Sequence, residues 1–305
     1  MSDHALPALY AVFAWWFATG VILLLDGLRP TTFRWSMAGA TVLLAVACWG
    51  LATSAADPSP AGAYLAFTCA LLAWGWVELS FLTGWLTGPR KTPCAPGCRG
   101  WPRFRAALGA VLWHELTILA ALALVLALTW GGPNQVGAGT FLILAAMRLS
   151  AKLNVFLGVR NLAESFLPDH LSHLRSYFRR RPANALFPFS VGGSTLACAL
   201  LFGEAGGSDA DPFRIAGFTL LGTLMALAVL EHWFMVLPLP FEALWRWALQ
   251  SRRWMAAAGS SGGPRLDVDH SRIGSLPLSL RMRAATRRNA AMAASRTTLG
   301  RTEAT

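Results

Sequence analysis

The fold of this chain is decided by a stretch near its middle, Met147-Arg148-Leu149-Ser150-Ala151-Lys152-Leu153-Asn154-Val155-Phe156-Leu157-Gly158-Val159-Arg160-Asn161-Leu162. The stretch ends an apolar run that begins near Val136, so it predicts the second half of a membrane-spanning helix. It nevertheless carries Arg148 and Lys152, which lie four residues apart and therefore on one face of the helix. A charge at the centre of a bilayer costs roughly 2.5–3.5 kcal/mol on insertion scales. This face must therefore turn toward protein and find charged partners.

The composition of the whole chain indicates a polytopic α-helical membrane protein. Of its 305 residues, 55% are hydrophobic and only 13% are charged, whereas soluble domains carry about 25% charged residues. Several apolar stretches of about 20 residues occur, which is the length that a helix needs to span a bilayer. The alternating pattern of outer-membrane strands is absent from the sequence.

The apolar stretches predict about seven membrane-spanning helices. Their expected ranges are 5–25, 35–55, 61–86, 104–130, 136–159, 185–202 and 212–237. The loops after spans one, three and five are rich in Arg and Lys, those after spans two and four have neither, and the loop after span six has only Arg214. Because basic loops stay in the cytoplasm, the N-terminus is expected to be periplasmic and the C-terminus cytoplasmic.

This pattern divides the chain into a seven-helix domain, residues 1–255, and a disordered Arg-rich cytoplasmic tail, residues 256–305. Residues 251–305 hold ten Arg against three acidic residues, which accounts for +7 of the net charge of +11. The basicity therefore indicates a tail attracted to anionic lipid and not a nucleic-acid-binding fold. Trp and Arg are interleaved near residues 241–254, which predicts an interfacial helix or a continuation of span seven.

Polar side chains from four spans are expected at one depth. A helix rises about 1.5 Å per residue, and counting from the span ends places them in a band roughly 8–17 Å from the cytoplasmic boundary. This buried polar layer consists of Glu78, His114, Glu115, Arg148, Lys152, Glu231 and His232. Its acids nearly balance its cations, so an ion network that specifies helix packing is one interpretation.

The same residues allow functional interpretations. Three Glu and two His are metal-ligand types, and either histidine suits the metal of a tetrapyrrole. However, adjacent residues point about 100° apart on a helix, so His114-Glu115 and Glu231-His232 cannot both aim squarely at one ion. Intramembrane acids also mark proton or ion paths.

A basic, amphipathic segment follows span five. Leu171, Leu174 and Phe178 have helical spacing, and Arg179-Arg180-Arg181 follows them. The segment predicts contact with lipid or with a partner protein.

Several long blocks of the chain have a distinctive sequence, among them Trp74-Gly75-Trp76-Val77-Glu78-Leu79-Ser80-Phe81-Leu82-Thr83-Gly84, His114-Glu115-Leu116, Arg148-Leu149-Ser150-Ala151-Lys152-Leu153-Asn154 and Glu231-His232-Trp233. These blocks resemble the PuhE family of photosynthetic complex assembly proteins of purple bacteria, which are encoded alongside the reaction-centre H subunit. The resemblance covers roughly residues 5–250 and contains the buried polar layer. It carries over no catalytic residue.

The resemblance implies a multi-pass protein of the bacterial inner membrane, cytoplasmic or intracytoplasmic. Its expected partners are reaction-centre or light-harvesting 1 subunits, other assembly factors, and bacteriochlorophyll or its biosynthetic enzymes, with no nucleic acid. The first hypothesis is an assembly factor that is not an enzyme and that modulates bacteriochlorophyll supply. The alternative is a membrane-embedded enzyme or carrier in which the Glu/His cluster binds a metal ion or a tetrapyrrole such as bacteriochlorophyll.

Overall fold

The computed structural model describes residues 2–162, 164–238 and 241–250. Within these ranges, seven helices are long and apolar enough to cross a membrane. They are α1 (Ser2–Asp26), α2 (Phe33–Ser54), α3 (Pro60–Leu82), α4 (Gly100–Thr129), α5 (Val136–Leu157), α6 (Leu186–Ala205) and α7 (Pro212–Phe234). The predicted all-α class with seven spans is confirmed, while the orientation of the termini stays a prediction. The predicted tail, residues 256–305, lies outside the described residues.

The central helix of the bundle is α3. Helices α1, α2, α4, α5 and α7 all pack on it, and they contact one another in the order α1–α7–α5–α4–α2–α1 to form a closed ring. Helix α6 packs outside this ring on α7 and α5. The small residues Ala63, Ala66, Ala70 and Ala73 of α3 are buried. Small side chains let helices approach closely inside a membrane, which explains how one helix accommodates five neighbours.

Helix α3 ends at Leu82, four residues before the predicted end of span three at Leu86. Gly84 has φ +81°, a left-handed conformation that glycine adopts without steric cost. Residues 83–90 then continue beyond α3 as a non-helical segment that runs along the middle of α4. The backbone N–H of Arg90 donates to Gly109 O at 3.1 Å, and that of His114 donates to Thr87 O at 3.0 Å. The segment thus satisfies its backbone against another helix, a partner that hydropathy cannot reveal.

A 3₁₀ helix, Asp169–Tyr177, packs on α4. Its buried residues are Leu171, Leu174 and Tyr177, so Tyr177 takes the place expected for Phe178. The spacing of three follows from the 3.0 residues per turn of a 3₁₀ helix. These side chains cluster with Phe81 and Ala110. The apolar face of the segment therefore packs against protein.

The chain that follows α7 returns to α1. Phe241–Trp245 forms a 3₁₀ helix, and residues 246–250 are helical. The indole of Trp245 donates to Trp16 O, and the indole of Trp16 donates to Leu244 O, both at 3.0 Å. This part of the predicted interfacial helix is thereby tied to α1, and residues 251–254 lie outside the described ranges.

Replacement of Gly88 by alanine is expected to destabilise the bundle by about 1–3 kcal/mol, the usual cost of overpacking. A Cβ at this position would meet the backbone carbonyl carbon of Ala110 at 2.5 Å. The measurement is the thermal unfolding of the detergent-purified protein, together with its amount in membranes. Gly192→Ala is the control, because nothing lies within 4 Å of a Cβ there. Equal stability of the two variants would contradict this packing.

The stability of the 3₁₀ helix is expected to depend on pH through His173. Burial, followed by the nearby Lys91 and His170, lowers the pKa of His173 from its ordinary value of 6.5. The unfolded chain therefore takes up a proton first, and stability falls as the pH drops through 6.5. The unfolding temperature of the wild type should be lower below pH 6.5 than above it, and this difference should be smaller in His173→Gln. An identical pH dependence in the variant would contradict the assignment.

Candidate functional site

A cavity of about 530 Å³ surrounds the C-terminal half of α3. Helices α1, α3, α4, α5 and α7 line it, together with residues from the 161–178 connection and Trp245. Most lining side chains are apolar. Six residues of the predicted polar layer also line it: Glu78, Glu115, Arg148, Lys152, Glu231 and His232. The seventh, His114, is fully buried outside the lining.

Helices α3, α4 and α5 meet at Glu78. Arg148 donates from Nη2 to Glu78 Oε2 at 2.8 Å. The other carboxylate oxygen, Oε1, lies 3.8 Å from Nε2 of His114. The His114 ring packs on Phe81, with 4.3 Å between the ring centroids. Since Glu78 is only 7% exposed, Arg148 is the cation that compensates its carboxylate.

Helices α4 and α5 are joined by a second ion pair. Lys152 Nζ donates to Glu115 Oε1 at 2.7 Å. Lys152 lies one helical turn beyond Arg148, so the same face of α5 makes one ion pair with α3 and a second ion pair with α4. The rotation of α5 about its axis is thereby constrained at two depths.

Glu231 on α7 has a different environment. Its Oε1 accepts a hydrogen bond from Nε1 of Trp15 at 3.0 Å, which links α7 to α1. It takes part in none of the ion pairs of the described residues. Its side chain is exposed, and it lines the cavity. Sequence reasoning did not anticipate Trp15 as its partner.

Both ring nitrogens of His232 are occupied. Its Nδ1 lies 2.9 Å from Ala228 O, and it must donate there because a carbonyl oxygen only accepts. Its Nε2 is bonded to the hydroxyl of Ser150 at 2.9 Å. The bond to Ser150 makes His232 a link between α7 and α5.

The side chains present do not fit the predicted metal site. No three His, Cys, Asp or Glu side chains in the described ranges lie together in a group that could hold a metal ion. Arg148 and Lys152 instead make ion pairs with Glu78 and Glu115. A tetrapyrrole held by a histidine is not supported either, since His114 lies outside the cavity lining and His232 has no unoccupied nitrogen.

Three asparagines that the sequence analysis did not single out anchor the C-terminal end of α5. Asn154 Nδ2 donates to Ser190 Oγ on α6 at 3.0 Å, and Asn184 Nδ2 donates to Asn154 Oδ1 at 3.0 Å. Asn161 Nδ2 donates to Phe234 O at the end of α7, at 2.8 Å. The available signal was an amide inside or beside an apolar span, which requires a partner.

The three arginines predicted to contact lipid or a partner lie on the surface. Arg179, Arg180 and Arg181 are exposed. Their backbone is held firmly, because Val159 N donates to Arg179 O at 3.2 Å and Arg181 N donates to Val159 O at 3.1 Å. Arg180 also pairs with Glu164 at 3.2 Å. The result is a basic patch attached directly to the end of α5.

These features define a polytopic α-helical membrane protein with an internal cavity that charged side chains border. A family model described as "Protein of unknown function (DUF3623)" matches residues 1–256, and the chain belongs to this family. A relative from Rhodobacter capsulatus, described as "Uncharacterized 30.4 kDa protein in puhA 5'region", is 44% identical over 257 residues. The match covers 82% of this chain and 93% of the relative. No solved structure matches the chain.

Substitution of Arg148 by alanine is expected to destabilise the protein by roughly 3 kcal/mol, because it strands the Glu78 carboxylate. This is the low end of the range for buried pairs, since Arg148 borders the cavity. Membrane accumulation and thermal unfolding in detergent measure the loss.

The control is the double variant Glu78→Gln with Arg148→Gln. It removes both charges and should be more stable than Arg148→Ala, because no carboxylate is left unpaired. Wild-type stability of Arg148→Ala would show that the pair does not hold the helices.

Proposed function

We propose that this chain is an assembly factor, and not an enzyme, for the photosynthetic reaction centre and light-harvesting 1 complex of the bacterial inner membrane. The observation that carries the proposal is the relative in the puhA 5' region, whose match covers 82% of this chain and 93% of the relative. The resemblance of the sequence to the PuhE family, which implies photosynthetic complex assembly, also supports it. A role in supplying bacteriochlorophyll to the complex is part of the proposal.

The ion pairs of the polar layer support a scaffold. Glu78 and Glu115 accept hydrogen bonds from Arg148 and Lys152. General acid–base catalysis needs a group within reach of a substrate proton and in a suitable protonation state. Carboxylates held by cations on a neighbouring helix serve helix packing better than proton transfer.

A basic surface at one end of the bundle supports a partner-binding role. Its exposed cations are Lys91, Arg99, Arg105, Arg160, Arg175, Arg179, Arg180 and Arg181. Such a surface steers the approach of partners that carry acidic patches and favours their correct orientation. We propose reaction-centre or light-harvesting 1 subunits, or other assembly factors, as these partners.

Deletion of the gene in a phototrophic host tests the assembly role. The expected result is less reaction-centre and light-harvesting 1 absorption per membrane protein, with recovery when the wild-type gene is returned. The amount of ATP synthase in the same membranes is the control. Normal absorption in the deletion strain would refute the proposal.

Charge reversal of the basic patch tests how partners are recognised. Arg179→Glu, Arg180→Glu and Arg181→Glu together should fail to restore the complexes in the deletion strain. The protein should still accumulate, because the exposed Arg180–Glu164 pair contributes only about 0–1 kcal/mol. The matched control replaces all three arginines by lysine, which keeps the charge. Equal restoration by both triple variants would show that the patch is not the docking surface.

A further inference from the structure

The cavity around the C-terminal half of α3 has the dimensions of a small-molecule site. Its volume of about 530 Å³ falls within the range of roughly 300–1,000 Å³ that is typical of ligand pockets. Such pockets combine a mainly apolar and aromatic lining with a few placed polar groups. The aromatic lining residues include Trp15, Trp74, Phe81, Phe156 and Trp245.

Arg148 directs hydrogen-bond donors at this cavity. It lies nine residues before the end of α5, which is about 14 Å into the span by the helix rise. Its side chain is nevertheless 38% exposed, and exposure of an arginine to lipid at that depth would cost several kcal/mol. Because Arg148 lines the cavity, its exposed part faces the cavity.

The guanidinium of Arg148 is only partly used by the protein. Its Nη2 donates to Glu78, while its Nε is buried without a hydrogen-bond partner among the described residues. A guanidinium carries five N–H donors, and buried donors are normally paired. The Nε group is enclosed by protein, so an acceptor oxygen on a bound molecule would meet the other N–H groups of the guanidinium, which the 38% exposure of the side chain leaves accessible.

Glu231 offers the opposite polarity on another wall. One carboxylate oxygen takes the Trp15 hydrogen bond, and a carboxylate has about four acceptor positions in all. The cavity thus presents a cationic donor on α5, an acceptor on α7 and several aromatic rings in its lining. Rings of this kind favour offset or edge-on contact with another flat π-system.

We propose that the cavity binds one planar, conjugated and largely apolar molecule from the membrane, with a carbonyl oxygen held by Arg148. Two classes of membrane molecule carry this chemistry, an isoprenoid quinone and a chlorin macrocycle with keto and ester groups. The chlorin arm rests on the pigment-supply role proposed above, whereas the quinone arm goes beyond it; the assembly role itself can be performed through the surface of the protein alone.

Binding is tested on the purified full-length protein in detergent. The probes are a short-chain ubiquinone analogue and methyl pheophorbide, each titrated while tryptophan fluorescence is recorded. Saturable quenching is expected from one probe, since Trp15, Trp74 and Trp245 border the cavity. The probe that binds identifies the class of ligand.

Two variants place the ligand in the cavity. Ala107 lines it, so Ala107→Phe should fill the space and abolish saturable quenching. Ala120→Phe is the matched control on the same helix, at an exposed position outside the lining, and it should bind as the wild type does. Arg148→Lys keeps the charge beside Glu78 but removes the unused donors, so affinity should fall about tenfold or more.

Two results would overturn the proposal. One is unchanged affinity in Ala107→Phe when its unfolding temperature shows that it is folded. The other is quenching of the wild type by both probes that never saturates. Neither result bears on the assembly role, which the gene deletion tests separately.

Discussion

The arrangement of the helices depends on one constraint: two cations inside an apolar helix need charged partners. Arg148 and Lys152 lie on one face of α5, and neither can face lipid without a cost of several kcal/mol. Their pairing with Glu78 and Glu115 fixes which side of α5 meets α3 and which meets α4. Helix packing in membranes lacks a hydrophobic driving force between helices, so such polar contacts have unusual influence on arrangement. The closed ring of helices around α3 is consistent with this demand.

The same pairs define the polarity of the cavity. A cavity lined only by apolar side chains would have no hydrogen-bonding groups, whereas the ion-paired side chains of α3, α4 and α5 place charged groups in this lining. Arg148 donates a hydrogen bond from one nitrogen to Glu78, and the exposed part of its side chain faces the cavity. Glu231 contributes a carboxylate that is tied only to an indole N–H among the described residues. A scaffold interaction and a potential ligand contact thus share one residue, Arg148.

Hydropathy predicted the seven spans closely because lipid imposes length and apolar composition on any spanning helix. It misplaced the end of α3, since the residues after Leu82 satisfy their backbone on α4 and need no helix of their own. Depth counting grouped seven polar residues, because helix rise is nearly constant. Six of the seven line one cavity in the structure. Depth counting could not give partners, because the rotation of each helix about its axis depends on packing. For this reason the engagement of His232 with Ser150 and Ala228, and the exclusion of His114 from the cavity lining, were not foreseen.

The sequence by itself determined that this is a seven-span membrane protein, because lipid sets the length and composition of a spanning helix. It also predicted, from the helix rise, a charged layer at a common depth. Only the tertiary structure decided which acid meets which cation, that residues 83–90 lie against α4, and that a cavity borders the layer. These features arise from contacts between residues far apart in the chain, such as Trp15 with Glu231 and Glu78 with Arg148. Side-chain direction and interhelical distance set such contacts, and neither is encoded by local periodicity.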